Sequence, residues 1–482
     1  MTSLPVLRKS AAELLASVAI DLFPGALLFQ CRSTEVGFYC DIVANQPIDH
    51  YALPLLEEKM RGLTKQNLEI RALDMMREVA SNYLEHKGQS LRARSAAHAK
   101  DNILSLIQIG DFCDYCQLPY IEHTGEAQFF KLVGIEEVVQ YIPDEDSVKV
   151  KRISGIVSFD KSSLKKEMKA LQAGKKADHT ALPVERKLFS LHPEVSDWTW
   201  FWETEGARVK KTLTGWWEEE HRKQQFNIVS TPPLVKEELF LKTGILEEDG
   251  FDEDFDPSSL EIQGVAYRIP STPVASHLVL FKTQKPIERK MPARYAECAP
   301  FVFQKQEGDL WGMLNSHFVT ADFAYIFCSP QQLEAEFISS LQFIDKIIKM
   351  FDFEYYWRFI GRGEKFAGSV IRWEKAVESL NSAFKTCGFA YESDVQESSF
   401  AGPVVEARIL DRFGREWKGP SLTLNFSLPT KFDLRYQAAD GKEYAPLMLV
   451  RRLFGSVERF VALLLEHNSG SLPLWLVPEQ VH

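Results

Sequence analysis

No apolar run in this 482-residue chain approaches the ~18 residues that a membrane-crossing helix needs. Cysteine is sparse and odd in number: seven, at positions 31, 40, 113, 116, 298, 328 and 387, which excludes a disulfide framework and leads us to expect a reduced, cytoplasmic compartment. The hydrophobic stretch from Met1 to Lys9 is too short for a signal peptide. There is no GxxxxGK[ST] loop, no GxGxxG after a strand and no GxSxG elbow, so the kinase, Rossmann and common hydrolase readings fall. Positive charge is not in excess either. Fifty-six basic against 67 acidic residues leave a net charge of −11, which argues against a surface that clings to nucleic acid or anionic lipid and leaves room only for a local basic patch. What is present is ordinary globular material, 45% apolar and 26% charged, long enough for two to four domains.

Hydrophobic spacing suggests an α+β opening: a helix from about Ser10 that stops at Pro24-Gly25, then a strand near Val36 to Ile42. Helical spacing with dense charge pairs runs from Leu53 to His86, and short apolar strands carry on to Val150. Lys161 to His179, rich in Lys and Ala, reads as an exposed linking helix, with a domain boundary near Lys175. Thus residues 1–175 form one expected domain and 176–482 a second. The latter opens on the tryptophan-rich segment 198–202, followed by an amphipathic helix from Ala207 to about Gln225 and a strand closed by Thr231-Pro232-Pro233. Strands are expected at Val404 to Leu410 and Leu422 to Leu428, and a last, largely apolar helix from Leu447 to Glu466. An antiparallel sheet with helices against it accommodates this pattern.

Tests for chemistry give little by themselves. Cys113 and Cys116 make one CxxC with His123 beyond it, but two thiols and one imidazole are not a zinc site. The acidic run from Glu247 to Asp256 lacks the ligand spacing of an EF-hand and reads as a solvated loop. One cluster is denser. Gly455-Ser456 opens an apolar helix carrying Glu458 and Arg459 one turn in, where a polyphosphate could approach the helix start.

At these residues the chain resembles the class II aminoacyl-tRNA synthetases, in particular the threonyl-tRNA synthetase family, whose motif 3 helix and following Pro-x-Trp-Leu-x-Pro-x-Gln-Val segment look very similar to 446–481. Asn425 to Pro429, Ile326 to Cys328 and Thr231-Pro232 resemble further family segments, the last being the motif 1 proline at a dimer interface. Gly37 to Asp41 and Asp114-x-Cys116 look like the family's editing domain. The resemblance implies a class II antiparallel core flanked by helices, preceded by an α+β editing-type domain. A ubiquitin-like N-terminal domain and an anticodon-binding domain are not expected in 1–482. A homodimer is expected, with tRNA or a genuine synthetase subunit as further candidate partners and no membrane.

Several family positions carry unsuitable residues. The three zinc ligands, one Cys and two His, fall on Val274, Tyr325 and Val450, so zinc is not expected. The motif 2 arginine that steadies the α-phosphate falls on Phe303, a second motif 2 arginine on Asn315, and an adenine-holding glutamate on Lys305. Arg459 remains, which with Glu458 and Lys305 makes the nucleotide-binding candidates and keeps ATP as a candidate ligand. In the editing-type domain the His-x-x-x-His falls on Lys9 and Glu13 and a later His on Tyr120, leaving Cys116 alone. The expected function is a non-catalytic, binding or regulatory member of the family. The alternatives are an enzyme that still activates a carboxylic acid in an altered, zinc-free pocket, with Lys305 as its relocated cation, and a purely structural partner subunit.

Overall fold

The computed structural model describes the whole chain except residues 1–2, 35–36, 100, 116–118, 141–147, 177–178, 180–187, 193, 197–198, 245–258, 304–311, 412–414 and 478–482. Two compact units emerge, Met1–Ala173 and Gly174–Arg412 with Glu416–His482. The first opens on the helix Leu4–Leu22, longer at its start than the spacing suggested, because Ser3 caps it and Pro5 suits its first turn. Its Leu7, Leu14 and Leu15 are fully buried in one core with Leu28, Phe38, Ile42 and Ile153. They come from an antiparallel sheet ordered Leu27–Ser33, Phe38–Val43, Val148–Ser158, Phe129–Gln140. Inside it Arg152 grips Asp41 with two bonds of 2.8 and 2.7 Å.

Leu53 to His86 is not one helix. The helix Leu53–Gln66 stops at Asn67, whose φ of 50° is left-handed, and Ile70–Met76 is a strand paired antiparallel with Ile103–Ile109 before helix resumes at Arg77–His86. Helix-compatible charge spacing persists across the break, but the tertiary pairing overrides it. The expected linking helix is present as Lys161–Lys176.

The second unit is built on an eight-stranded sheet. Its order is Asn227–Ile228, Ala293–Val302, Phe318–Cys328, Leu447–Arg452, Glu416–Asn425, Val404–Leu410, Glu354–Arg362 and Tyr391–Ser399, antiparallel except at the two outermost pairings. Four helices, Thr204–Lys223, Leu333–Met350, Val370–Cys387 and Val457–His467, share one core with the sheet. The fold is therefore the mixed α+β expected.

Two local expectations change. Leu447 to Glu466 is not a continuous helix: Leu447–Arg452 is a strand between Phe318–Cys328 and Glu416–Asn425, and helix begins only at Val457. The strand expected at Leu422 to Leu428 ends at Asn425, whose Oδ1 accepts from Ser427 N at 3.0 Å and Leu428 N at 2.9 Å and so starts a short helix. Trp217 is fully buried and Trp216, partly buried, packs on Phe351, Phe454 and Trp475 against the core of this unit. The acidic run 247–256 falls outside the described residues. Among them no helix is long and apolar enough to cross a membrane.

Candidate anion-binding site

The turn between the strand Leu447–Arg452 and the helix Val457–His467 is held from below by one carboxylate. Asp322 is fully buried in the middle of its strand. Its oxygens accept three consecutive backbone N–H groups, from Leu453 at 2.7 Å, Phe454 at 2.9 Å and Gly455 at 2.9 Å, and the indole N–H of Trp217 at 3.1 Å. That bouquet fixes a backbone which could otherwise run on as strand. Gly455 then takes φ of 66°, which a glycine adopts freely, and Ser456 caps the helix by accepting from Arg459 N at 3.2 Å.

Above this turn lies a cavity of about 150 Å³, lined among others by Phe303, Asn315, Lys418, Arg452, Ser456 and Arg459. Arg459 donates from Nε to the Leu314 carbonyl at 2.7 Å and from Nη2 to Asn315 Oδ1 at 3.3 Å. Both acceptors are neutral, so they orient the guanidinium without cancelling its charge. Arg452 donates from Nη2 to the Gly455 carbonyl at 2.9 Å, and its guanidinium lies 4.8 Å over the Phe323 ring. Its Nε is shielded from solvent and has no hydrogen-bond partner among the described residues. Burial, and the positive charge of Arg459, push the Arg452 pKa below the usual arginine range, against the opposing pull of Asp322. Lys418 stands at the rim, half exposed, with Nζ 2.6 Å from Glu406.

The residues expected to matter are distributed unevenly. Phe303, Asn315 and Arg459 line the cavity together. Glu458 does not: its carboxylate takes Trp202 Nε1 and Lys210 Nζ at 3.2 Å each, Thr320 N at 2.6 Å and Ser456 Oγ at 3.2 Å, so it ties elements together. Lys305 lies outside the described residues. Arg452 and Lys418 were missed by sequence reasoning, and the signal that could have found Arg452 was strand alternation in Leu-Met-Leu-Val-Arg-Arg, which puts neighbouring arginines on opposite faces.

The three zinc positions do come together. Tyr325 stands opposite Val450 in strand register, and Val274, at the start of the helix Val274–Gln284, shares their hydrophobic cluster. Tyr325 is 1% exposed, stacked parallel to Phe323 at 6.2 Å and 4.6 Å from the His277 ring. Burial holds its phenol well above the ordinary range. Two valines and a protonated phenol do not fit a zinc ion, and among the described residues no group of three His, Cys, Asp or Glu side chains could hold a metal. His277 offers no substitute, because its Nε2 faces Glu297 Oε2 at 3.0 Å, and Glu297 also accepts from Thr231 N at 2.7 Å and Thr231 Oγ1 at 2.8 Å. The other ring nitrogen, Nδ1, is buried with no partner among the described residues.

In the first unit, Lys9 rests its ammonium 4.8 Å over the Tyr120 ring and Glu13 is 1% exposed on the opening helix. Cys116 lies outside the described residues. Cys31 and Cys40, paired across two strands, are pushed up mainly by burial, and neither thiol is primed as a nucleophile.

Comparison with known proteins agrees with this architecture. Residues 263–468 match the model of the tRNA synthetase class II core domain (G, H, P, S and T). The chain is 30% identical to a threonine–tRNA ligase of Lawsonia intracellularis over 99% of its length and 74% of that protein. It is 31% identical to one of Dehalococcoides mccartyi over 100% of its length and 82% of the relative. Among solved structures it resembles the RNA binding domain of threonyl-tRNA synthetase from Cryptosporidium parvum, with TM-score 0.57 and 25% identity, covering 64% of this chain and 74% of that one.

Proposed function

The chain belongs to the threonine–tRNA ligase family of class II synthetases, and on that premise we propose that it binds a phosphate-bearing ligand of the ATP type without forming threonyl adenylate, in a binding or regulatory role. The observation that carries this reading is the packed interior at Val274, Tyr325 and Val450, where a threonine side chain would need donors and space and meets apolar and aromatic surface. A site that cannot pair a substrate hydroxyl has no means to select it by the ~10⁴-fold that a dedicated hydrogen-bonding site achieves. Phe303 lacks the cation needed where charge grows on the α-phosphate, and losing one such donor typically costs roughly 10²- to 10³-fold in rate. Arg459 and Arg452 retain attraction for the ground-state phosphates. Binding therefore persists where transition-state stabilisation does not.

Hydrolytic editing is absent in the same reading. Lys9 and Tyr120 engage each other, and neither titrates near neutrality when unperturbed.

The decisive experiment is pyrophosphate exchange with ATP and threonine. No exchange above background is expected, and none with a panel of the other amino acids. A threonine-dependent rate that scales with enzyme concentration refutes the proposal, and exchange with another amino acid favours an altered carboxylate-activating enzyme instead. Elemental analysis after dialysis against a weak chelator should find far less than one zinc per chain; a stoichiometric content would undo the assignment of Val274, Tyr325 and Val450.

A further inference from the structure

A guanidinium held partly out of water without an acidic partner is a costly arrangement, since desolvating an ion costs several kcal/mol that only a close counter-charge offsets. Arg452 is in that position. Its stem ends a central strand, its face is covered by Phe323, one Nη reaches the Gly455 carbonyl, and its Nε is shielded and unused. Among the described residues no carboxylate forms an ion pair with Arg452 or with Arg459, which shares the same cavity. The acidic groups nearby are otherwise engaged. Asp322 is saturated by four N–H donors, Glu458 by Trp202, Lys210, Thr320 and Ser456, and Glu406 by Lys418 and Arg408.

The lining therefore presents two arginines with no ion-paired carboxylate among the described residues, a rim lysine and the Ser456-capped start of an 11-residue helix, and the described part of it contains no carboxylate. Buried Asp322 offsets part of the Arg452 charge, and the lining stays cationic in a protein whose overall balance is −11. It also has nothing among its described residues with which to hold a divalent cation, because magnesium is bound through one or two carboxylates besides phosphate oxygens.

From this we infer that Arg452 replaces the cation missing at Phe303 as the ligand-binding charge of this cavity, and that the pair Arg452–Arg459 takes a metal-free di- or polyphosphate group. The inference rests on the proposed phosphate-binding function and deepens it by naming the residue and the ionic form of the ligand. Arg459, its plane fixed by Leu314 and Asn315, and Arg452, fixed by Gly455 and Phe323, are both pre-oriented, so little side-chain entropy is lost on binding. Magnesium, by neutralising phosphate charge in solution, competes with them for the ligand. Free pyrophosphate and the phosphates of a nucleotide share this chemistry.

The test is calorimetric titration of the full chain with inorganic pyrophosphate and, separately, ATP, each in EDTA and in excess magnesium. Both ligands are expected to bind in EDTA and to bind at least threefold more weakly with magnesium. ATP binding with pyrophosphate silent would assign the affinity to the nucleoside and overturn the phosphate assignment. Arg452→Gln should weaken pyrophosphate binding at least tenfold, Arg459→Gln by a similar factor and Lys418→Gln by less, since Lys418 already neutralises Glu406. Equal affinity in Arg452→Gln and the parent overturns the role of Arg452 while leaving the proposed function standing. No binding of either ligand to the parent, with or without magnesium, overturns the proposed function itself. A strict requirement for magnesium overturns the metal-free assignment. If Arg452→Gln does not fold, Arg452→Lys is read in its place: it keeps the charge and loses the planar fork, so binding three- to tenfold weaker is expected and unchanged binding is contrary.

Discussion

His221 shows how strongly one residue's surroundings can set its charge. It sits fully buried near the end of the helix Thr204–Lys223, its Nδ1 2.8 Å from the Trp217 carbonyl and its ring 3.9 Å from that indole, with Phe226 and Phe343 edge-on. Burial first, and repulsion from Arg451 second, hold its pKa well below 6.5. The unfolded chain takes up this proton near pH 6.5 and the folded chain does not. Stability is therefore unaffected by His221 above about pH 7 and falls as pH drops below 6.5, by up to about 1.4 kcal/mol per pH unit, until the folded pKa is reached. Replacing the ring by a non-titrating one of similar shape, His221→Phe, should flatten the dependence of the urea midpoint on pH between 6.5 and 5 relative to the parent. Parallel curves for the two proteins would rule this out. Nothing in the sequence alone marks His221, because its burial is completed by Phe343 and the repulsion comes from Arg451, both distant along the chain.

At the scale of an element, the helix Thr204–Lys223 carries two glycines in opposite situations. A Cβ on Gly206 would lie 1.8 Å from the carbonyl oxygen of Leu188, a backbone atom that already accepts from Glu203 N at 2.9 Å and cannot retreat. Around Gly215 there is nothing within 4 Å. Alanine favours a helix over glycine by about 1 kcal/mol, so Gly215→Ala should raise the melting temperature, whereas Gly206→Ala should lower it despite the same propensity gain. Thermal denaturation of the two variants checks the pair, and a stabilised Gly206→Ala would show that the close approach is unimportant. The same contrast explains which elements could be read in advance. Thr204–Lys223 and Val404–Leu410 have one periodicity from end to end and were legible to within a few residues. Leu447 to Glu466 joins a strand that opens on Leu-Met-Leu-Val to an apolar helix, and charged residues such as Arg451 and Arg452 suit either element, so Gly455 and the Asp322 bouquet, contributed from another strand, mark the change. Reading that stretch as one helix hid Arg452. As a strand it sends Arg451 between Phe226 and Phe343, at 4.8 and 4.4 Å, and Arg452 to the cavity.

The whole molecule consists of two units with separate hydrophobic cores, one around Leu7, Leu14 and Phe38 and the other around Trp217, Ile344 and Leu464. All ten tryptophans fall between positions 198 and 475, within the second unit. Indole fluorescence therefore reports the unfolding of that unit alone, while far-ultraviolet circular dichroism reports helices and strands of both. Cores of this kind are not bound to melt as one, and two-state behaviour is not the default at this length. A phosphate ligand bound at the cavity near Arg459 stabilises only the folded second unit, by about 2.7 kcal/mol at a hundredfold excess over Kd, which corresponds to a rise of several degrees. Adding pyrophosphate in EDTA should accordingly move the fluorescence midpoint upward, while the part of the dichroism transition contributed by Met1–Ala173 stays in place. Coincident curves that shift together would mean that the units unfold as one. An unmoved fluorescence midpoint at saturating pyrophosphate would mean that the two arginines, though placed for an anion, do not take this one.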